Sequence, residues 1–167
     1  EQLGWKAPDH VIVPVASGSL LTKVWKGMHE FAALGLIGDV KTRMHVAQAA
    51  GCAPVANAFN QGQTHARPVV PRTVAKSLAI GNPADGYYAI KVLKESSGSA
   101  FAVPEPEVAE GMRLLAQTEG IFTETAGGVV ISTLRHLARE SVIKRHEQVV
   151  ALITGNGLKT QEVVAQY

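Results

Sequence analysis

Short apolar runs alternate along the chain with longer stretches whose apolar residues recur at helical spacing. Residues 11–15 are continuously apolar, which is typical of a strand buried on both faces. Leu21, Val24 and Met28 then recur on one face of a predicted helix. Further strands are predicted at 43–48, 99–103, 120–124 and 148–154, and further helices begin near Pro54, Asp85, Pro106 and Gly127. This alternation predicts an α/β fold with a mainly parallel sheet and helices on both faces.

The organisation of the chain favours a single α/β domain over residues 1–167. The 167 residues, 46% of them hydrophobic, suffice for one packed core, and no repeat, low-complexity tract or linker interrupts them. No apolar run approaches the roughly 18 residues that a membrane span requires. The formal charge is +2, without a basic stripe interleaved with aromatics. We therefore expect neither a membrane nor a nucleic acid as partner.

The cysteine and histidine content limits the disulfides and metal sites that the chain can form. Cys52 is the single cysteine, so an internal disulfide and a thiolate metal cluster are both excluded. A lone cysteine is typical of a reducing compartment, and we expect a cytoplasmic location. The six histidines show no helical metal-ligand spacing, and we predict no metal site.

The candidate binding chemistry lies where predicted strands end. Small residues 16–19 connect the first strand to the first helix, and amides at such a helix start bind phosphate groups. The alternative is an ordinary turn capped by Ser17 or Ser19. Residues 123–128 and 154–157 follow two other predicted strands. Because ligands bind beyond the carboxyl ends of parallel strands, we expect the three segments to converge on one crevice.

Two residues in these segments have two interpretations each. Glu124 is either a working carboxylate or a side chain bonded to the amides that open the next helix. Thr154 either caps its own turn or offers its hydroxyl to a ligand. The residue pattern leaves both questions open.

Four segments resemble those of threonine synthases, which belong to the β-family (fold type II) of pyridoxal-phosphate enzymes. They follow one another in that family's order and span nearly the whole chain. The segments are Pro14-Val-Ala-Ser-Gly-Ser-Leu20, Thr73-Val-Ala-Lys-Ser-Leu-Ala-Ile-Gly-Asn-Pro83, Gly120-Ile-Phe-Thr-Glu-Thr-Ala-Gly-Gly128 and Thr154-Gly-Asn-Gly-Leu-Lys159. The second and fourth favour threonine synthases over the related serine/threonine dehydratases and cysteine synthases.

The resemblance implies a cofactor, a reaction and a set of binding residues. Threonine synthases convert O-phosphohomoserine and water to threonine and phosphate with pyridoxal phosphate. By this resemblance the cofactor's phosphate lies against Ala16, Ser17, Gly18, Ser19 and Leu20. Thr154 matches the residue that hydrogen-bonds the pyridine nitrogen, and residues 79–81 match a turn that lines the ring face.

The family's Schiff-base lysine is the main departure. Its Ser-Phe-Lys-Asp/Asn-like context does not occur here, so we assign no catalytic residue to this chain. The resemblance thus implies the C-terminal portion of a longer threonine synthase, inactive by itself and binding the cofactor weakly or not at all. Surface left exposed by the missing portion predicts self-association or a homodimer, and a plastid location applies if the parent is a plant enzyme.

Two alternatives remain at this point. The chain could belong to a threonine dehydratase or another β-family lyase. It could also be a non-catalytic α/β module that binds a phosphorylated ligand or a partner protein.

Overall fold

A parallel sheet forms the centre of the computed structural model, which describes residues 1–166 and side chains to residue 165. The strands are β1 (His10–Pro14), β2 (Arg43–Ala49), β3 (Ser99–Val103) and β4 (Val149–Ala151). In the part described they make one sheet in the order β3-β2-β1-β4, with every pairing parallel. The predicted α/β class is confirmed.

The helices lie on both faces of this sheet. They are α1 (Ser19–Ala33), α2 (Pro54–Asn60), α3 (Gly86–Glu95), α4 (Glu105–Glu119), α5 (Thr125–Arg139) and α6 (Gln161–Gln166). None of the helices in residues 1–166 has the length and hydropathy that crossing a bilayer requires.

Strand β1 shows why its sequence is continuously apolar. Val11 and Val13 face one core cluster, where they pack with side chains of α1, α2 and α3. Ile12 faces the opposite cluster, which α4 and α5 cover. Because successive side chains of a strand point to opposite faces, a strand in the middle of a covered sheet needs apolar residues at every position.

The predicted strand at 120–124 is wrong. Ile121 and Phe122 are exposed, and the segment forms a single antiparallel bridge between Thr123 and Asn156. Gly157 N donates to Phe122 O at 3.0 Å. The segment therefore pairs with the turn that follows β4 and not with a strand of the sheet. Strand β4 is correspondingly shorter than predicted, since the chain leaves the sheet to form this turn.

Candidate functional site

A cavity of about 220 Å³ lies beyond the carboxyl ends of β1 and β4. It brings together the three segments that the sequence predicted to converge. Its lining consists of Pro14, Val15, Ala16, Ser17, Gly18, Leu20, Leu21, Ser77, Leu78, Glu124, Ala126 and Thr154. Of the residues predicted to bind the phosphate or the pyridine nitrogen, Ser19 is the one that this lining does not include. Ser77 and Leu78 were not predicted as site residues, although they belong to the second of the segments that carry the resemblance.

Gly18 makes the turn from β1 into α1 possible. Its φ is +99°, in the left-handed region, and it directly precedes α1. A Cβ at this position would lie 2.9 Å from the Asp85 carbonyl oxygen. Glycine is required both by the backbone conformation and by the close approach of α3.

The start of α1 presents free amides to the cavity. The N–H groups of Leu20 and Leu21 have no hydrogen-bond acceptor among the described residues. The helix has no side-chain cap at Gly18, and Ser17 Oγ accepts from Ser19 N only at 3.4 Å. Since capping by Ser17 is weak, the positive end of α1 remains available to a ligand.

The Ser19 side chain is engaged elsewhere. Its hydroxyl donates to the Asp85 carboxylate at the start of α3. This contact ties α1 to α3 behind the cavity, so a contribution of Ser19 to ligand binding would come from its backbone.

Thr154 contributes a free hydroxyl to the opposite side of the cavity. Within the described residues its Oγ1 has no hydrogen-bond partner, whereas its carbonyl lies 3.4 Å from Thr123 Oγ1. Asn156 is the residue that caps the turn, since its Oδ1 accepts from Leu158 N at 2.9 Å. Thr154 therefore does not cap its turn in the described residues, and its hydroxyl's role toward a ligand stays a prediction.

Glu124 lies in the cavity wall and forms an ion pair. It precedes α5, and its carbonyl accepts from Gly127 N and Gly128 N, but its side chain caps no amide. The interpretation of a carboxylate bonded to these amides is therefore wrong. The carboxylate is 6% exposed and lies 3.0 Å from Lys159 Nζ, which the sequence did not single out. The distance of 35 positions between the two residues explains why no local pattern pointed to the pair.

The turn at residues 79–81 does not line the cavity. Val69 N donates to Gly81 O at 3.0 Å, and a Cβ on Gly81 would lie 1.9 Å from Val69 O. Because the turn packs closely against the backbone at Val69, it lies outside the cavity. The preceding Ser77 and Leu78 line the cavity in its place.

Two buried histidines lie at the other end of the sheet. His10 Nδ1 is 2.9 Å from His45 Nε2, and both residues are 1% exposed. His10 Nε2 lies 3.1 Å from Glu147 Oε2, and His45 Nδ1 lies 2.7 Å from Ser99 Oγ. Burial, and then the charges of His10 and Arg43, lower the pKa of His45 from 6.5 to about 4. This network crosses strands, so a search for helical spacing could not find it.

Solved structures with this fold include an L-serine ammonia-lyase and a serine racemase. An L-serine ammonia-lyase from Rhizomucor miehei superposes with a TM-score of 0.74 at 22% identity, covering 99% of this chain and 52% of that one. A serine racemase from Dictyostelium discoideum gives 0.63 at 18% identity, with coverages of 89% and 44%. At these identities the similarity establishes the fold alone.

Curated relatives share more of the sequence. The threonine synthase of Methanocaldococcus jannaschii is 39% identical over 160 residues, covering 95% of this chain and 39% of the relative. The threonine synthase of Methanosarcina acetivorans is 36% identical over 165 residues, with coverages of 98% and 40%. That of Synechocystis is 36% identical over 161 residues, with coverages of 96% and 40%. The chain spans about two fifths of the length of these relatives.

The family model described as "Pyridoxal-phosphate dependent enzyme" matches residues 1–155, which is most of the chain. The parallel sheet, its helical layers and the cavity at the strand ends agree with that match. The chain belongs to the pyridoxal-phosphate dependent enzyme family.

Proposed function

We propose that this chain is the C-terminal portion of a threonine synthase and holds the cofactor's phosphate and pyridine nitrogen. The whole enzyme converts O-phosphohomoserine and water to threonine and phosphate. The observation that carries the proposal is the cavity itself, in which residues 16–18 and Leu20 meet Thr154 from the far end of the chain. The threonine synthase relatives, at 36–39% identity, favour this reaction over others of the family.

The residues of the cavity suit the two ends of pyridoxal phosphate. The free amides of Leu20 and Leu21 offer hydrogen-bond donors at the positive end of a fifteen-residue helix, while the Ser17 hydroxyl donates to Ser19 Oγ at 3.3 Å. Such donors match a phosphate dianion. The Thr154 hydroxyl, without a partner in the described residues, offers a hydrogen bond to a ring nitrogen. The cofactor fits the donor set that this chain supplies.

The chemistry divides between the cofactor and the protein. When bound, pyridoxal phosphate supplies an electron sink for the substrate's α-carbon. Residues 16–20 bind and orient it through its phosphate, and the neutral Thr154 hydroxyl holds the nitrogen without protonating it. The buried walls contributed by Val15, Leu21 and Ala126 exclude water from one side of the site.

The isolated chain is inactive under this proposal, because the lysine context that binds the cofactor covalently does not occur in its sequence. The direct test measures phosphate release from O-phosphohomoserine with the chain and pyridoxal phosphate. We expect no turnover. Adding the portion of the Methanocaldococcus jannaschii threonine synthase that this chain does not span should restore cofactor-dependent release of phosphate.

A related lyase is the alternative to be separated from threonine synthase. The same reconstituted sample, supplied with threonine in place of O-phosphohomoserine, distinguishes the two. Ammonia and a keto acid formed from threonine, without phosphate release from O-phosphohomoserine, would overturn the proposed reaction in favour of a dehydratase.

Location and self-association complete the proposal. Cys52 is a buried free thiol, which supports a reducing compartment such as the cytoplasm, or the plastid in a plant.

The sheet of the described residues ends in β3 and β4, whose outer edges are unpaired, and Ile121, Phe122 and Leu158 are exposed. Such edges and apolar residues favour association between copies. Light scattering at high concentration should give more than the monomer mass, and a monomer at every concentration would contradict this part.

A further inference from the structure

We propose that Lys159 determines the charge of the cavity and thereby its preference for an anion. Lys159 acts as a positioning and charge-compensating residue, through Glu124, for whatever phosphate group enters beside Leu20. The inference rests on the proposed function, because it names the residue that lets the cofactor's phosphate bind.

The charges of the cavity wall itself nearly cancel without this lysine, and Asp85, which accepts from Ser19 outside the lining, adds to the negative side. Helices α1 and α5, each fifteen residues long, both begin at the cavity, where Gly18 and Glu124 precede them. Each helix start is equivalent to about half a positive charge. Glu124 is the ionisable residue among those lining the cavity in the described chain, and its full negative charge offsets both helix ends.

Burial strengthens the electrostatic effect of the Glu124 carboxylate on the cavity. Its side chain is 6% exposed, so solvent screens it poorly from the other groups in the cavity wall. Lys159 Nζ lies 3.0 Å from its Oε2 and is itself 63% exposed. Lys159 thus extends from the surface to the buried Glu124 and neutralises its charge, so that the positive helix ends give the cavity a net positive potential.

The backbone around the pair keeps it in place. A Cβ on Gly155, whose φ is +71°, would lie 2.3 Å from the Glu124 carboxyl carbon. Gly157 N donates to Phe122 O, and Thr123 bridges to Asn156. The turn that carries Thr154 is therefore fastened to the segment that carries Glu124, and Lys159 follows directly on this turn. The charge pair and the Thr154 hydroxyl are therefore held in one fixed arrangement.

Anion binding to the 167-residue chain provides the first test. The probes are inorganic phosphate and pyridoxine 5′-phosphate, which lacks the aldehyde that would react with surface lysines, with pyridoxine as the uncharged control. At low salt we expect Lys159→Met to weaken phosphate binding on the order of tenfold, and Lys159→Arg to stay within about twofold of wild type. Glu124→Gln should strengthen binding, and the double variant should return to within about threefold of wild type. Added sodium chloride should narrow these differences.

A matched control separates the local effect from net charge. Lys91→Met removes an equally exposed lysine that pairs with the exposed Glu95 at 3.7 Å, and it lowers the net charge by the same amount. It should leave phosphate affinity within about twofold. Equal effects of Lys91→Met and Lys159→Met would overturn the inference.

Hydrogen exchange tests the charge without a phosphate ligand. The amides of Leu20 and Leu21 are not hydrogen-bonded within the described residues, and their exchange is catalysed by hydroxide, which is itself an anion. Lys159→Met should slow their exchange about tenfold, and Glu124→Gln, which keeps the side-chain volume, should accelerate it. If exchange responds but the reconstituted sample releases no phosphate from O-phosphohomoserine, the charge inference stands and the proposed function fails. If wild type binds phosphate but neither variant alters exchange or affinity, the inference fails and the proposed function is retained.

Discussion

The ring nitrogens of His10 on β1 and His45 on β2 share a buried hydrogen bond of 2.9 Å, at the end of the sheet opposite the cavity. A carboxylate only accepts, so His10 Nε2 carries the proton directed at Glu147, and His10 Nδ1 accepts from His45 Nε2. Ser99 Oγ then donates to His45 Nδ1. A neutral His45 ring satisfies both of its partners, and its protonation would place a second donor against Ser99.

This pair predicts a loss of stability on mild acidification. Unfolded His45 takes up a proton near pH 6.5, but folded His45 does so only near pH 4. Between these values the unfolded state binds more protons, so the free energy of unfolding falls as the pH drops from 6.5 to 4. The His45 contribution to this loss is on the order of 3 kcal/mol. Urea unfolding at a series of pH values measures it.

The control for the pH series compares a buried with an exposed histidine. His45→Gln should remove most of the slope between pH 4 and 6.5, whereas His146→Gln, at an exposed position, should leave it unchanged. Backbone and side-chain bonds to Glu147 also lower the pKa of that carboxyl, so its contribution is lost as the pH falls below 4.5, at the acid end of this range and beyond. A slope that persists in His45→Gln would assign the effect to other groups.

Gly18→Ala should destabilise the chain. The added methyl group meets the Asp85 carbonyl at 2.9 Å, and alanine is strained at φ +99°. We expect a loss of about 1–3 kcal/mol in the free energy of unfolding. Gly27→Ala in the middle of α1, where a Cβ meets nothing within 4 Å, should instead stabilise by about 0.5–1 kcal/mol. The two variants should change the free energy of unfolding in opposite directions, and a stabilising Gly18→Ala would contradict the strain argued for this position.

Gln48 connects β1 to α2 and should be costly to replace. Its fully buried amide donates to Val15 O at 3.1 Å and accepts from Val55 N and Ala56 N, both at 3.0 Å. Gln48→Leu leaves these backbone groups unsatisfied and should cost about 3 kcal/mol of unfolding free energy. The exposed Gln61 gives the comparison, since Gln61→Leu should stay within about 0.5 kcal/mol. A small effect at Gln48 would mean that water replaces its side chain.

Thr125→Val should leave stability unchanged or increase it by about 1 kcal/mol. Its Oγ1 is buried and has no hydrogen-bond partner in the described structure. Valine has nearly the same shape and removes an unsatisfied hydroxyl. Thr133→Val in the same helix removes a hydroxyl that donates to Val129 O at 2.9 Å, and should cost about 0.5–1.5 kcal/mol. Thermal unfolding of both variants measures the difference. A marked loss of stability in Thr125→Val would show that the Thr125 hydroxyl has a hydrogen-bond partner.

Local chemistry determined much of this protein in advance. The continuous apolar run of β1 fixed a strand covered on both faces, since only that environment accepts apolar residues at every position. The small residues that follow it, with glycine at 18, specified a turn into a helix start whose amides lack acceptors. Four segments in order indicated the family that the comparisons then established. The roles of Ala16–Leu20 and Thr154 toward a cofactor, and a single domain over residues 1–167, stay predictions.

The tertiary structure decided what depends on partners distant in the chain. Residues 120–124 have the composition of a strand, but they pair with the turn after β4 and not with an edge of the sheet. Glu124 was placed at a helix start by its sequence, and only folding brought Lys159 to it. The histidine pair likewise required β1 and β2 to lie side by side in one register. Spacing along a chain encodes the period of an element, whereas charge pairing and burial depend on which elements become neighbours.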